Sequence, residues 1–139
     1  GCLACSNSIE KSKLLPLAVE DFNAALVWKN FPVASGYVGG QDFEATSKRI
    51  RKVGSQLKIL EVEPVDTHVA PDGQSAVCVV MFSWHTDRDL TVRKGIEEQL
   101  WKMVDGRWLI VEQRAPEKDE GEGLSPFIPV KPEPKEKKK

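Results

Sequence analysis

The hydrophobic pattern of this chain changes period once, near residue 57. Before that point Leu14, Leu15, Ala18, Val19, Phe22, Ala25 and Leu26 recur at spacings of three and four, the stripe of an amphipathic helix over Leu14–Lys29. Pro16 is tolerated only in a first turn, so the regular helix is expected to start near Leu15. Glu20 and Asp21 lie early and Lys29 last, the sense that the helix dipole favours. Asn30-Phe31-Pro32 interrupts the pattern, and a short helical piece runs on to Tyr37 before Gly39-Gly40 breaks it. Asp42 is the expected N-cap of a third helix through Phe43, Thr46 and Ile50 to Val53, stopped by Gly54.

Beyond residue 57 the period is that of strands. Leu57–Glu63 is expected to be a strand ended by Pro64, with pairing resumed over Val65–Val69. Pro71-Asp72-Gly73-Gln74 reads as a turn, Ser75–Thr86 as a long second strand, Asp87–Leu90 as a loop, and Thr91–Val104 and Arg107–Arg114 as the third and fourth strands. The last two are joined by Asp105-Gly106, a hairpin signal, because a type I′ turn needs φ > 0 at both positions, which Gly accepts freely and Asp tolerates. Helices followed by hairpin-linked strands predict an α+β class, with N-terminal helices packed on a curved four-stranded antiparallel sheet. In the second strand Ala76, Cys78, Val80, Phe82 and Trp84 face one way while Val77, Val79 and Met81 face the other. Both faces are therefore expected to be covered, the outer one by a second copy of the domain or by the chain's own tail.

The 139 residues fit one domain, which the composition delimits. Residues 1–13 read as an N-terminal tether, 14–116 as the α+β domain and 117–139 as a charged, Pro-rich tail. Within that tail Leu124–Val130 is too apolar for a simple linker, and two readings stand: Phe127 and Ile128 dock on the domain, or the whole tail is disordered.

A net charge of −1 and a pI near 6.2 give no pull toward nucleic acid, so no nucleic-acid partner is expected. No apolar run approaches the roughly 20 residues that cross a bilayer. Cys2, Cys5 and Cys78 with His68 and His85 do not supply the four suitably spaced ligands of structural zinc, so no metal and no cofactor are expected. Cys78 lies in an apolar strand and reads as core. Gly1-Cys2 resembles the end of a bacterial lipobox, in which a small residue precedes the cysteine that becomes lipidated. With the polar stretch Ser6–Lys13 behind it, Cys2 implies a lipid-anchored domain at a bacterial cell envelope; the other reading is a cytoplasmic protein in which Cys2 and Cys5 are incidental. Lys48, Arg49, Arg51 and Lys52 make a basic face on the third helix, either a solvated surface or a patch for anions or phospholipid.

Helices first, then hairpin-linked strands ending in Val104-Asp105-Gly106-Arg107-Trp108-Leu109-Ile110, the chain resembles the nuclear-transport-factor-2-like superfamily over about residues 15–114. That superfamily includes the ketosteroid-isomerase-like and SnoaL-like proteins. The resemblance implies a cystatin-like cone, a pocket between helices and sheet, and a homodimer packed through the sheet. Its isomerases use a carboxylate base with an oxyanion hole of Tyr and a protonated Asp. This chain has one tyrosine, Tyr37, and no Asp matches either role by motif.

His85, Glu97, Glu98 and Gln99 are the polar residues on otherwise apolar strands. Glu98 shares parity with Ile96 and Leu100, so it is a candidate to face a cavity with a raised pKa, and His85 beside Trp84 is a candidate proton acceptor. Their plainer roles are a Glu98 pair with Lys94 or Lys102 and a loop-edge His85. No nucleophile elbow and no P-loop are present. Phe22, Leu26, Trp84 and Trp101 are candidates to line a pocket for a small hydrophobic ligand, their default role being core area. The leading expectation is a non-enzymatic, lipid-anchored binding or protein-interaction domain. The alternative is a small-molecule enzyme of the ketosteroid-isomerase or SnoaL type, using Glu98, His85 or Tyr37 in the cone. A structural partner in an envelope assembly is the third class.

Overall fold

The computed structural model describes residues 13–117 and 123–129. Helix α1 spans Leu15–Val27, α2 Phe31–Gly36 and α3 Phe43–Gly54. Strands β1 (Leu57–Val69), β2 (Ser75–Thr86), β3 (Arg93–Val104) and β4 (Arg107–Arg114) follow, then a two-residue β5 at Gly123–Leu124. Helices lie against one face of the sheet, the α+β architecture that the pattern predicts.

Helix α1 stops two residues before Lys29 because Lys29 adopts a left-handed φ of 58°. Asn30 N–H donates to Ala25 O at 2.8 Å and Lys29 N–H to Leu26 O at 3.3 Å, the paired bonds of a Schellman cap. Trp28 is left at the cap, pointing outward. Asp42 occupies the N-cap position of α3, but its side chain accepts no capping hydrogen bond.

The sheet is antiparallel in the order β1-β2-β3-β4. The expected end of the first strand at Pro64 is corrected: β1 continues to Val69, with register shifts on either side of Leu60 and Val65. A proline without an N–H is compatible with a strand whose outer side pairs with no other strand among the described residues. Strands β2 and β4 occupy the predicted spans, and Asp105 and Gly106 take φ of 50° and 80°, as a type I′ hairpin requires. The third strand begins at Arg93, two residues later than expected. The outer edge of β4 is engaged by the α2–α3 connection, with Gly39 N–H donating to Ile110 O and Ile110 N–H to Tyr37 O.

The folded unit also reaches beyond residue 116. Strand β5 pairs parallel to the start of β3 at Gly95 and Ile96, where β4 no longer reaches. Phe127 is fully buried, its ring 5.5 Å from that of Phe82, while Ile128 is half-buried. This strap of residues 123–129 sits on the helix side of the sheet, because Phe82 is one of the buried, helix-facing residues of β2. The outer face keeps half-buried Val77, Val79 and Met81 of β2 beside half-buried Leu100 of β3. The core gathers α1 (Ala18, Val19, Phe22, Leu26), Ile50 of α3, the inner residues of the strands and Phe127 into one cluster.

Candidate functional site

Two places between helices and sheet bring polar chemistry and space together. The first is the interior of the cone. Glu97 is fully buried on the inner face of β3. Its Oε2 accepts from Gln99 Nε2 at 2.7 Å and Gln113 Nε2 at 2.9 Å, and its Oε1 accepts from the Ser125 hydroxyl at 2.7 Å. Gln99 Nε2 also donates to Asn23 Oδ1 at 2.9 Å, and Trp101 Nε1 donates to Gln99 Oε1 at 3.2 Å. Arg49 closes the network from α3, donating to Gln113 Oε1 at 3.3 Å and Phe127 O at 2.9 Å. Burial pushes the Glu97 carboxyl up from its usual 4.5, opposed by the bonds from Ser125, Gln99 and Gln113 and by the charge of Arg49. Every side chain in this network is bonded to another, so it holds the sheet, α1, α3 and the strap together, and Asn23 alone of its named members also lines the second place.

The second place is a groove between α1 and the outer half of the sheet. From Glu63 onward β1 is exposed on every residue, so no helix covers that half of the strand. The inner flank of α1 therefore stands over open space of about 530 Å³, walled by Leu15, Pro16, Val19, Ala24 and Val27 of α1, by Trp28 at its cap, and by Val62 and Pro64 of β1. Glu20, Asn23, Thr67 and Cys78 complete the lining. Trp28 is 78% exposed, the largest exposed aromatic among the described residues. Cys78 lies fully buried at the floor, its sulfur 3.4 Å from the Thr67 hydroxyl. Burial pushes the thiol upward, so it stays protonated and is a poor nucleophile. Among the described residues Glu20 is the only carboxylate on these walls.

The structure places the residues singled out from sequence elsewhere. Phe22, Leu26 and Trp101 are at most 1% exposed and Trp84 is 8% exposed; none of the four lines the groove. Phe22 meets Trp101 edge-on with ring centroids 5.8 Å apart, so these rings fill the cone that they were expected to wall. Glu98 points to the outer face, where Arg114 Nε donates to it at 3.0 Å. His85 lies at the end of β2, its Nδ1 3.0 Å from Thr86 O. Tyr37 is buried against Trp101 and donates to Asp21 Oδ2 at 2.6 Å, and burial with the Asp21 charge raises its phenol so that it stays a donor. Glu98, His85 and Tyr37 thus do not converge. Cys2 lies outside the described residues. Among the described residues no three His, Cys, Asp or Glu side chains are grouped to hold a metal.

The sequence pattern marked Glu97 and Gln99 as polar strand residues and implied a pocket between helices and sheet, but not the network that joins them to Asn23 and Gln113 nor the residues that line the groove. The sign of the network was Asn23, a polar residue inside the apolar stripe of α1, opposite Gln99 and Gln113 at inward strand positions.

No protein-family model and no curated protein sequence matches the chain. Solved structures resemble its fold. A SEC-C motif containing protein from Rhodopseudomonas palustris superposes with a TM-score of 0.63 at 14% identity, over 73% of this chain and 77% of that one. An LEH-like epoxide hydrolase of M. tuberculosis gives 0.52 at 16% identity, over 68% and 73%. A provisionally assigned calcium/calmodulin dependent protein kinase II association domain from Xanthomonas campestris gives 0.52 at 15%, over 71% and 81%. The shared architecture is the nuclear-transport-factor-2-like cone. At these identities the likeness is one of fold.

Proposed function

We propose that this cone is a binding module rather than an enzyme, that its ligand is a small apolar molecule held in the α1–β1 groove, and that a lipid on Cys2 anchors it at a bacterial cell envelope. The observation that carries the ligand is Trp28, 78% exposed at the rim of an apolar groove of about 530 Å³. An indole left in water beside apolar walls offers a ligand a large area to bury. Small-molecule sites commonly span about 300–1,000 Å³ with few polar groups, which is the character of this groove.

The chemistry favours binding over the ketosteroid-isomerase or SnoaL alternative. Such an enzyme needs convergent ionisable groups in its cavity. The groove presents Glu20 and a protonated thiol, and the buried Glu97 is saturated by its neighbours. The anchor rests on Gly1-Cys2 and the polar stretch behind it. A homodimer through the sheet is supported by Val77, Val79, Met81 and Leu100, which stay half-buried on the outer face of a single copy.

Titration of the full chain with N-phenyl-1-naphthylamine, an apolar fluorophore, tests the groove. Saturable binding weakened about tenfold by Trp28→Ala or Val62→Asp, the loss of the rim aromatic or the burial of a charge, is expected. Absence of saturation, or equal affinity in both variants, refutes the site. Mass spectrometry of the protein taken from its native membrane tests the anchor, and an unmodified Cys2 removes it.

A further inference from the structure

A cleft between α2 and α3 shares no lining residue with the groove. Ser35 near the end of α2 and Phe43, Glu44, Ser47, Lys48 and Arg51 of α3 border an open cleft of about 510 Å³. Residues 44, 47, 48 and 51 follow three–four spacing, so they share one face of the helix. Ser47 is 7% exposed, and its hydroxyl is the one buried side-chain polar atom without a hydrogen-bond partner among the described residues. A helical serine ordinarily relieves such burial by bonding the carbonyl one turn back; Ser47 does not.

The charges around it point the same way. Lys48 and Arg51 are exposed, and neither joins an ion pair among the described residues. Helix α3 has 12 residues, and its first amides receive no side-chain cap hydrogen bond from Asp42, while Glu44 stands in its first turn. An unpaired hydroxyl and two cations outside any described ion pair set donors and positive charge against one carboxylate, Glu44, among the lining residues. Arg49, by contrast, is turned inward to Gln113 and Phe127, so the basic face of α3 is divided between a structural cation and the two at the cleft.

We infer that this cleft binds a phosphate-type oxyanion, free or as the headgroup of an anionic lipid, with Lys48 and Arg51 supplying countercharge and Ser47 a hydroxyl donor. Glu44 stands on the same wall and opposes the anion, so removing its charge tightens binding. Ser47 contributes a directed bond, whereas the two cations contribute most of the affinity.

The test is titration of the full chain with inorganic phosphate, followed through the backbone amides of α3 by NMR, with chloride at matched ionic strength as the control. Saturable shifts over residues 43–48 are expected. The double variant Lys48→Ala/Arg51→Ala should weaken binding about tenfold or more, as loss of charge-assisted bonds does. Ser47→Ala should weaken it severalfold without lowering thermal stability, because it removes an unpaired buried hydroxyl, and Glu44→Gln should strengthen it. A parallel arm measures co-flotation with phosphatidylglycerol and phosphatidylcholine vesicles. Phosphate saturation assigns a free phosphate group; binding to phosphatidylglycerol vesicles alone, lost in the double variant, assigns the lipid headgroup. Failure of both arms, or binding that survives the double variant, overturns the inference.

Discussion

The Ser125 hydroxyl donates to the Glu97 carboxyl across 2.7 Å, joining residues 28 positions apart at the fully buried centre of the cone. Through that bond the strap is fixed to β3, and the interior that a ligand would otherwise enter is filled by the chain's own Ser125 and Phe127.

Phe127→Ala should destabilise the fold by about 3–5 kcal/mol, the usual cost of truncating a buried phenylalanine. Phe127 is fully buried against Phe82, so the effect should appear as a lower denaturant midpoint with a nearly unchanged slope. Deletion from residue 118 onward should cost at least as much.

Gly95→Ala should displace the strap without touching its sequence. A Cβ on Gly95 would overlap the backbone of Leu124 and Ser125, so β5 has to move. A destabilisation of about 1–3 kcal/mol is expected, as for other overpacked sites. Hydrogen exchange at the Ser125 amide, which donates to Ile96 O, should rise more than at the amides of β2.

Glu97→Gln should flatten the dependence of stability on pH. Burial raises the Glu97 carboxyl above its usual 4.5, so the folded state holds this proton more tightly than the unfolded chain does. The contribution of Glu97 to stability is therefore full below pH 4.5 and is lost as pH rises through its folded pKa. Glutamine keeps an acceptor for Gln99 and Gln113 and can donate to the Ser125 oxygen, as the protonated acid can. Equal slopes for the two proteins above pH 4.5 would contradict this account.

Trp28→Ala should separate ligand binding from folding. With 78% of the residue in water, its removal should change stability by no more than about 0.5 kcal/mol, while the affinity for N-phenyl-1-naphthylamine falls. Differential scanning calorimetry beside the titration reads both quantities.

Elements governed by local rules were legible in the chain. The apolar stripe placed α1, a long apolar run bounded by turns placed β2, and Asp105-Gly106 placed the last hairpin because its backbone demands positive φ. Pro64 misled, since its missing N–H breaks a central strand but not an edge, and edge status depends on how the whole sheet assembles. Glu98 misled in a similar way. Its parity with Ile96 and Leu100 was right, yet that apolar set lies on the outer face, while Glu97, Gln99 and Trp101 turn inward. Which face is inner depends on helices that end 43 or more residues before Glu97. The groove was hidden for the same reason, because it arises where α1 fails to cover β1, and no single segment records a gap between two.

The position of the strap in chain order also bears on how the protein is made. Synthesis runs from the amino end, so a nascent chain that has cleared the ribosome as far as Glu117 holds all three helices and strands β1 to β4, but neither Ser125 nor Phe127. Until residues 123–129 emerge, Glu97 lacks one of its donors and the crevice beside Phe82 is open to water or to a chaperone. The last core contact waits for the last core residues, so the complete fold is reached after translation of the strap and not domain-front by domain-front along the chain.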